Sequence, residues 1–175
     1  MITYEEAERL LQENGCAEEV VEHCRRVSAK ADEIAEKMNK NGCQVNVALV
    51  RVGGMLHDIG RSKVNDVSHG VEGGEIVRKR GEEALARIVE RHVGGGIKAG
   101  EVEGLKKDFL PITVEEKIVC YADKLIEELP DGSVKENEDA SHEIAKLEKK
   151  LGKEHPAPNR LRKIQEEMKK LLGKD

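Results

Sequence analysis

The feature that most limits what this chain can fold into is the stretch from Val45 to Leu56, where Val45, Val47, Ala48, Leu49, Val50, Val52, Met55 and Leu56 leave almost no polar face. A helix apolar nearly all round belongs at the centre of a molecule. It runs straight into His57-Asp58-Ile59-Gly60-Arg61, so the central helix delivers an imidazole and a carboxylate to the interior. Adjacent residues in mid-helix point about 100° apart, so His57 and Asp58 can share a small ligand only where the helix ends. Gly60 predicts that end, with the positive φ expected of glycine just past a helix C-terminus. Gly53-Gly54 costs roughly 1 kcal/mol per residue relative to alanine, which implies close approach of a neighbouring helix or a ligand.

With charged residues at 37% and aromatics at 2%, the core must be built from Leu, Ile, Val, Ala and Met, and 175 residues suit one domain. The expected fold is all-α, a compact helical bundle with an appended C-terminal helical hairpin. Thr3 and Glu6 form a capping box opening a helix that Gly15 closes. A helix over about 17–39 carries Val20, Val27, Ala31, Ile34 and Met38 on one stripe, with His23 in the same stripe. His69-Gly70 enters a helix over about 71–80, and a helix over about 82–93 has His92 at its C-terminal end. Gly94-Gly95-Gly96 breaks the chain, either for backbone approach to a phosphate or as a flexible exit. Residues 97–111 read as irregular, a lid or rim, and a Thr113/Glu116 capping box starts a helix to about Glu128 with Asp123 beside Val119 and Ile126. Two charged helices, about 137–151 and 158–172, have narrow apolar stripes that suit a hairpin lying on the core or on a second subunit. The expected divisions are 1–16, 17–130 and 131–175.

Taken singly, His23 reads as a hydrogen-bonded core histidine and Asp123 as half of a salt bridge between helices. Occurring together, His23 in Val21-Glu22-His23-Cys24-Arg25-Arg26-Val27, the His57-Asp58-Ile59-Gly60 run and Asp123 in Tyr121-Ala122-Asp123-Lys124-Leu125 make the chain resemble the HD-domain superfamily of metal-dependent phosphohydrolases. The resemblance spans about Val20 to Leu129 and is greatest to small, uncharacterised archaeal HD proteins, which have two further histidines, here His69 and His92. It implies one metal on His23, His57, Asp58 and Asp123, and a second on His69 and His92 with Asp58 bridging. The implied cofactors are one or two divalent ions, and nitrogen with oxygen donors suits Mn, Fe, Co, Ni or Zn better than Mg. The implied activity is hydrolysis of a nucleotide or related small phosphate ester or anhydride by metal-activated water. Arg61 and Lys63 are the candidates for charge on the phosphate. Arg26 and Lys124 are expected to be solvated, and His142 and His155 to lie on the surface. The same pattern of histidines and aspartates also supports mixed-valence di-iron oxygenases, and a nucleotide-sensing module with an inert metal is a third reading.

The net charge of −5 argues against general nucleic-acid binding. Cys16, Cys24, Cys43 and Cys120 form no paired motif, as befits free thiols in a cytoplasmic protein. No stretch approaches the length of a membrane span. The expected partners are a small phosphorylated substrate and, through the C-terminal helices, a second copy of the chain.

Overall fold

A computed structural model describes residues 1–173, so Lys174 and Asp175, the last two residues of the expected C-terminal division, lie outside the described residues. The helices are α1 (Tyr4–Glu13), α2 (Glu18–Lys40), α3 (Val47–Leu56), α4 (His69–Arg78), α5 (Glu83–Glu90), α6 (Val114–Asp123), α7 (Ser141–Leu151) and α8 (Pro156–Leu171), with a 3-10 turn at Ile59–Ser62. Both capping boxes form, at Thr3/Glu6 and Thr113/Glu116. The fold is helical as expected, and no helix among the described residues is long and apolar enough to cross a membrane.

The apolar side chains gather in two clusters that meet along α2 and α3. One joins Ala7, Leu11, Val21, Met55, Leu85 and Val89, and the other joins Val27, Val50, Ile118, Ala122, Leu161 and Met168. The second cluster settles where the C-terminal hairpin lies. Its α8 buries Leu161, Ile164 and Met168 against the chain's own core, whereas α7 buries only Ile144.

Gly54 lets α3 sit directly on α2, since a Cβ there would stand 2.8 Å from the Ser28 Cα. The same contact is fastened by the Ser28 hydroxyl, which donates to the Arg51 carbonyl at 2.7 Å. Gly60 differs from its expected role, because its φ is not positive. Its need is for space: a Cβ would fall 1.9 Å from the His69 carbonyl oxygen and 2.6 Å from the Gly73 nitrogen. Glycine here brings the turn after His57-Asp58 into backbone contact with the start of α4, which carries His69.

One expected helix is shorter than its pattern. The segment to Glu128 leaves the helix after Asp123 and becomes strand β1 (Ile126–Glu128), antiparallel to β2 (Val134–Glu136), with Glu127 opposite Lys135. The Pro130-Asp131-Gly132 turn, which reads in sequence as a boundary between helices, closes this ribbon. Gly132 has φ +82° and the Asp131 carboxylate accepts from the Ser133 nitrogen at 2.9 Å.

These contacts predict unequal outcomes at two buried glycines. Gly60→Ala must displace backbone and is expected to cost about 3 kcal/mol or more. Gly53→Ala presses on the Ile88 side chain, 2.8 Å from Cδ1 and 2.9 Å from Cγ2, rather than on backbone, and is expected to cost less, about 1–2 kcal/mol. Urea unfolding of both variants checks the difference.

Candidate metal centre

The helix ending places the central pair. His57 is the C-cap of α3 with helical φ of −53°, and Asp58 follows at φ −100°, ψ 12°, before the 3-10 turn. This break brings His57 Nε2 within 3.7 Å of Asp58 Oδ2, although both residues are buried. His23 reaches the same point from the second turn of α2, Asp123 from the last residue of α6, His69 from the first residue of α4, and His92 from two residues beyond α5.

Three of the four imidazoles are oriented in one way. The Nδ1 of His57 donates to the Gly54 carbonyl (2.8 Å), that of His69 to Asp66 (2.7 Å) and that of His92 to Val89 (2.6 Å), in each case three residues back. A neutral imidazole that donates through Nδ1 presents a bare lone pair at Nε2. His69 Nε2 and His92 Nε2 nevertheless face each other at 3.1 Å, and Asp58 Oδ1 lies 3.1 and 3.3 Å from them. Three acceptors in a triangle with no donor among them repel unless a cation stands between them. On the other side of Asp58, Asp123 Oδ1 lies 3.0 Å from His23 Nε2 and 3.4 Å from His57 Nε2, and His57 Nε2 is buried without a hydrogen-bond partner. Donor atoms about 2.1 Å from a common ion and about 90–110° apart are separated by about 3.0–3.4 Å. Both donor sets therefore fit a first-row divalent ion, and Asp58 turns one carboxylate oxygen toward each.

The charges follow the same plan. Burial alone would raise the Asp123 carboxyl, but the adjacent Lys124 ammonium, with His23 and His57, holds it well below the usual carboxylate range. Burial likewise opposes ionisation of Asp58, and His57, His69 and His92 hold it far down. His92 is pushed down to about 4, chiefly by burial. Burial also works against a charge on His57, yet the Asp58 carboxylate raises its pKa well above 6.5. The pocket thus calls for positive charge at His57 Nε2, supplied by a proton or by a metal.

Lys124 corrects its expected place in solvent. Its side chain is 8% exposed, its ammonium pairs with Asp123 Oδ2 and donates to the His92 carbonyl at 3.2 Å, and Asp123 Oδ1 is left facing the histidines. Sequence reading missed it because a lysine beside an acid usually reaches water; the signal available was its position in the apolar stretch from Ile118 to Ile126, just past the end of α6. Arg26 is exposed as expected. Arg61 donates to Asp58 Oδ2 at 3.2 Å and lines the cavity, whereas Lys63 is exposed and is not part of the lining. Glu128 was also missed. His23 lacks the backbone tether of the other three, its Nδ1 is buried without a hydrogen-bond partner, and the Glu128 carboxylate of β1 lies 3.5 Å from it.

The donors sit at the floor of a cavity of about 540 Å³ whose walls include Arg61, Val67, Gly94, Ile97, Glu127 and a face of α7. His142 and His155 lie on this wall, His142 being exposed and 2.6 Å from Glu127. The irregular 97–111 segment forms part of the rim and is fixed to α8 by a two-pronged Arg160–Glu101 pair at 2.8 and 2.7 Å. Gly95 lets α8 approach, for a Cβ there would meet the Leu161 nitrogen at 2.7 Å.

Comparison with known proteins adds five findings. A model of the HD domain matches residues 20–128. An uncharacterized protein of Methanocaldococcus jannaschii is 47% identical over 173 residues, covering 97% of this chain and 98% of the relative. A tRNA (cytidine(56)-2'-O)-methyltransferase of Picrophilus torridus is 40% identical over 136 residues (73% of this chain, 36% of the relative). Ribonuclease Y of Thermosipho melanesiensis is 32% identical over 144 residues (80% of this chain), and the match spans only 24% of its length. Among solved structures, the HD domain of the L. monocytogenes phosphodiesterase PgpH, in complex with cyclic-di-AMP, superposes with a TM-score of 0.51 at 19% identity over 68% of this chain and 71% of that one. At that identity the likeness is one of fold.

Two outcomes are expected of the centre. Because His57 holds its proton well above its usual pKa, a metal must displace it. Binding of Mn²⁺ or Co²⁺ should release protons, seen as a calorimetric enthalpy that varies with buffer, and should weaken as pH falls. Glu128→Ala should weaken binding at the His23–His57–Asp123 set about tenfold and leave the His69–His92 set unchanged, whereas Glu128→Gln, which still accepts a hydrogen bond, should recover most of the loss. Two-site metal titration separates the sets.

Proposed function

As the chain belongs to the HD-domain superfamily of metal-dependent phosphohydrolases, we propose that it hydrolyses a phosphate ester or anhydride of a nucleotide or similar small molecule at the floor of the 540 Å³ cavity. The observation that carries this reading is the pair of donor triangles, His23–His57–Asp123 and Asp58–His69–His92, joined by the second Asp58 oxygen 3.7 Å from His57 Nε2. The His23, His57 and Asp123 set and the His69 and His92 set, with Asp58 between them, would each hold a divalent ion, and the mixed nitrogen and oxygen donors favour Mn, Fe, Co, Ni or Zn over Mg. Such ions would supply Lewis-acid charge to a phosphoryl oxygen and lower the pKa of water toward about 7.

The chain's own residues supply position. Backbone tethers on His57, His69 and His92 fix their rings before any ligand arrives, so little reorganisation is needed on binding. Lys124 fixes the rotamer of Asp123. Arg61, tied at one nitrogen to Asp58 Oδ2, stands on the cavity wall, where its guanidinium is placed to pair with phosphate oxygens in the planar geometry they favour. The cavity is of the size that encloses an organic molecule of nucleotide dimensions.

Phosphate release from a panel of nucleoside mono-, di- and triphosphates and dinucleotides, with Mn²⁺, Co²⁺ or Ni²⁺ added, tests the proposal. Asp58→Asn is expected to abolish metal binding to at least one set and lower turnover at least about 1000-fold, a loss of about 4 kcal/mol of transition-state stabilisation, with the helical circular dichroism unchanged. Arg61→Ala should retain metal and lose about 10- to 100-fold in kcat/KM. Full metal occupancy in Asp58→Asn, or turnover that consumes oxygen and yields an oxidised product, would refute it.

A further inference from the structure

One wall of the cavity comes from a part of the chain beyond the residues matched by the HD-domain model, which ends at 128. His142, Lys146 and Lys150 recur every four residues on α7, and Leu147 and Leu151 lie beside them, so a single helix face lines the cavity. That face is only partly used for folding: Ile144 is the one buried residue of α7 and Leu147 packs half-buried at the edge of the core, while Lys146, Lys150 and Leu151 stand exposed. Leu151 is 41% exposed and Val67, on the same cavity, is 38% exposed. These are two of the four large hydrophobic side chains that stand exposed among the described residues, and a cavity rim is where an apolar ligand would cover them.

Charge along the face is graded. Glu127 lies 2.6 Å from His142 and 3.6 Å from Lys146, whereas Lys150, one turn further from the strand, has no acidic partner within 4.0 Å among the described residues. The wall therefore offers an apolar strip with a free ammonium at its edge.

We propose that α7 is the specificity wall of the site: it binds the non-reacting half of the substrate, an apolar planar group such as a nucleobase against Leu147 and Leu151, with an anionic group outside the reacting phosphate reaching Lys150. The inference rests on the phosphohydrolase reading for the orientation of the ligand, since it places the reacting phosphate at the donors. A ligand of this kind is a nucleotide with a second phosphate, and an ester that carries phosphate alone makes no use of the wall.

Calorimetric binding to the full, Mn²⁺-loaded chain separates the two parts, with inorganic phosphate, a nucleoside monophosphate and a nucleoside 3',5'-bisphosphate as probes. Leu151→Glu is expected to weaken both nucleotides at least tenfold and leave phosphate unchanged. Lys150→Glu should weaken the bisphosphate about tenfold, the monophosphate less, and phosphate not at all. Both positions are exposed, so thermal stability and metal content serve as controls that should not move. Equal losses for all three probes, or none for the nucleotides, would overturn the proposal. Nucleotides that bind through the wall without turnover would leave the wall standing and remove the hydrolase reading; turnover unaffected by either variant would do the reverse.

Discussion

The structure depends on one arrangement of lone pairs. Asp58 is nearly buried and presents one carboxylate oxygen to two imidazole nitrogens that already face each other at 3.1 Å, while its other oxygen faces His57 and Arg61. Left uncompensated, a buried carboxylate costs several kcal/mol, and acceptors in mutual contact add to that. Positive charge must therefore stand beside it. Protonated His57, Lys124 and Arg61 provide it in the metal-free chain, and divalent ions are the other source. A fold that had only to be stable would place leucines here.

Such a centre requires that its members be held by something other than attraction to one another. The close contacts do this with backbone. Gly54 sets α3 against α2 and so fixes His57 relative to His23, and Gly60 sets the turn after Asp58 against the start of α4 and so fixes His69. The remaining spacing, from His92 to Asp123, is set by Glu116. Its buried carboxylate accepts from Arg91, next to His92, at 3.0 and 3.2 Å and from the Ile112 and Thr113 nitrogens at the entrance to α6. A capping box and an ion pair share one carboxylate, so the start of the helix that carries Asp123 is tied to the end of the helix that precedes His92.

Much of this was legible from periodicity. The stripes of α2, α3 and α6 placed His23, His57-Asp58 and Asp123 on inward faces, and the two capping boxes marked helix starts to within a residue. What periodicity could not supply was direction beyond the helix ends. The apolar pattern of Ile118 to Leu129 continues in helical register past Asp123, yet the chain bends into a strand because Pro130-Asp131-Gly132 closes a ribbon. That bend turns Glu128 toward His23. Lys124 escaped notice for a related reason, since a cation's burial depends on which carbonyls and carboxylates it meets in space, here those of His92 and Asp123. Gly60 shows the limit from another side: the residue type was right for a helix end, and the reason proved to be a neighbouring backbone that no local pattern encodes.

The division of labour along the chain has a physical consequence. The donors come from segments whose helices are locked into two cores, but α7 touches the core through Ile144 and the half-buried Leu147 and packs beside α8, whose Leu161, Ile164 and Met168 are buried. The Arg160–Glu101 pair then ties the same α8 to the rim of the cavity. Substitutions at the exposed positions on the cavity face of α7, Lys146, Lys150 and Leu151, therefore meet ligand or water rather than packed side chains, and change what the cavity accepts at little cost to folding. A substitution at Asp58 or Gly60 has no such freedom. Chemistry is built where the chain cannot move, and selection among ligands where it can be altered without loss of the core.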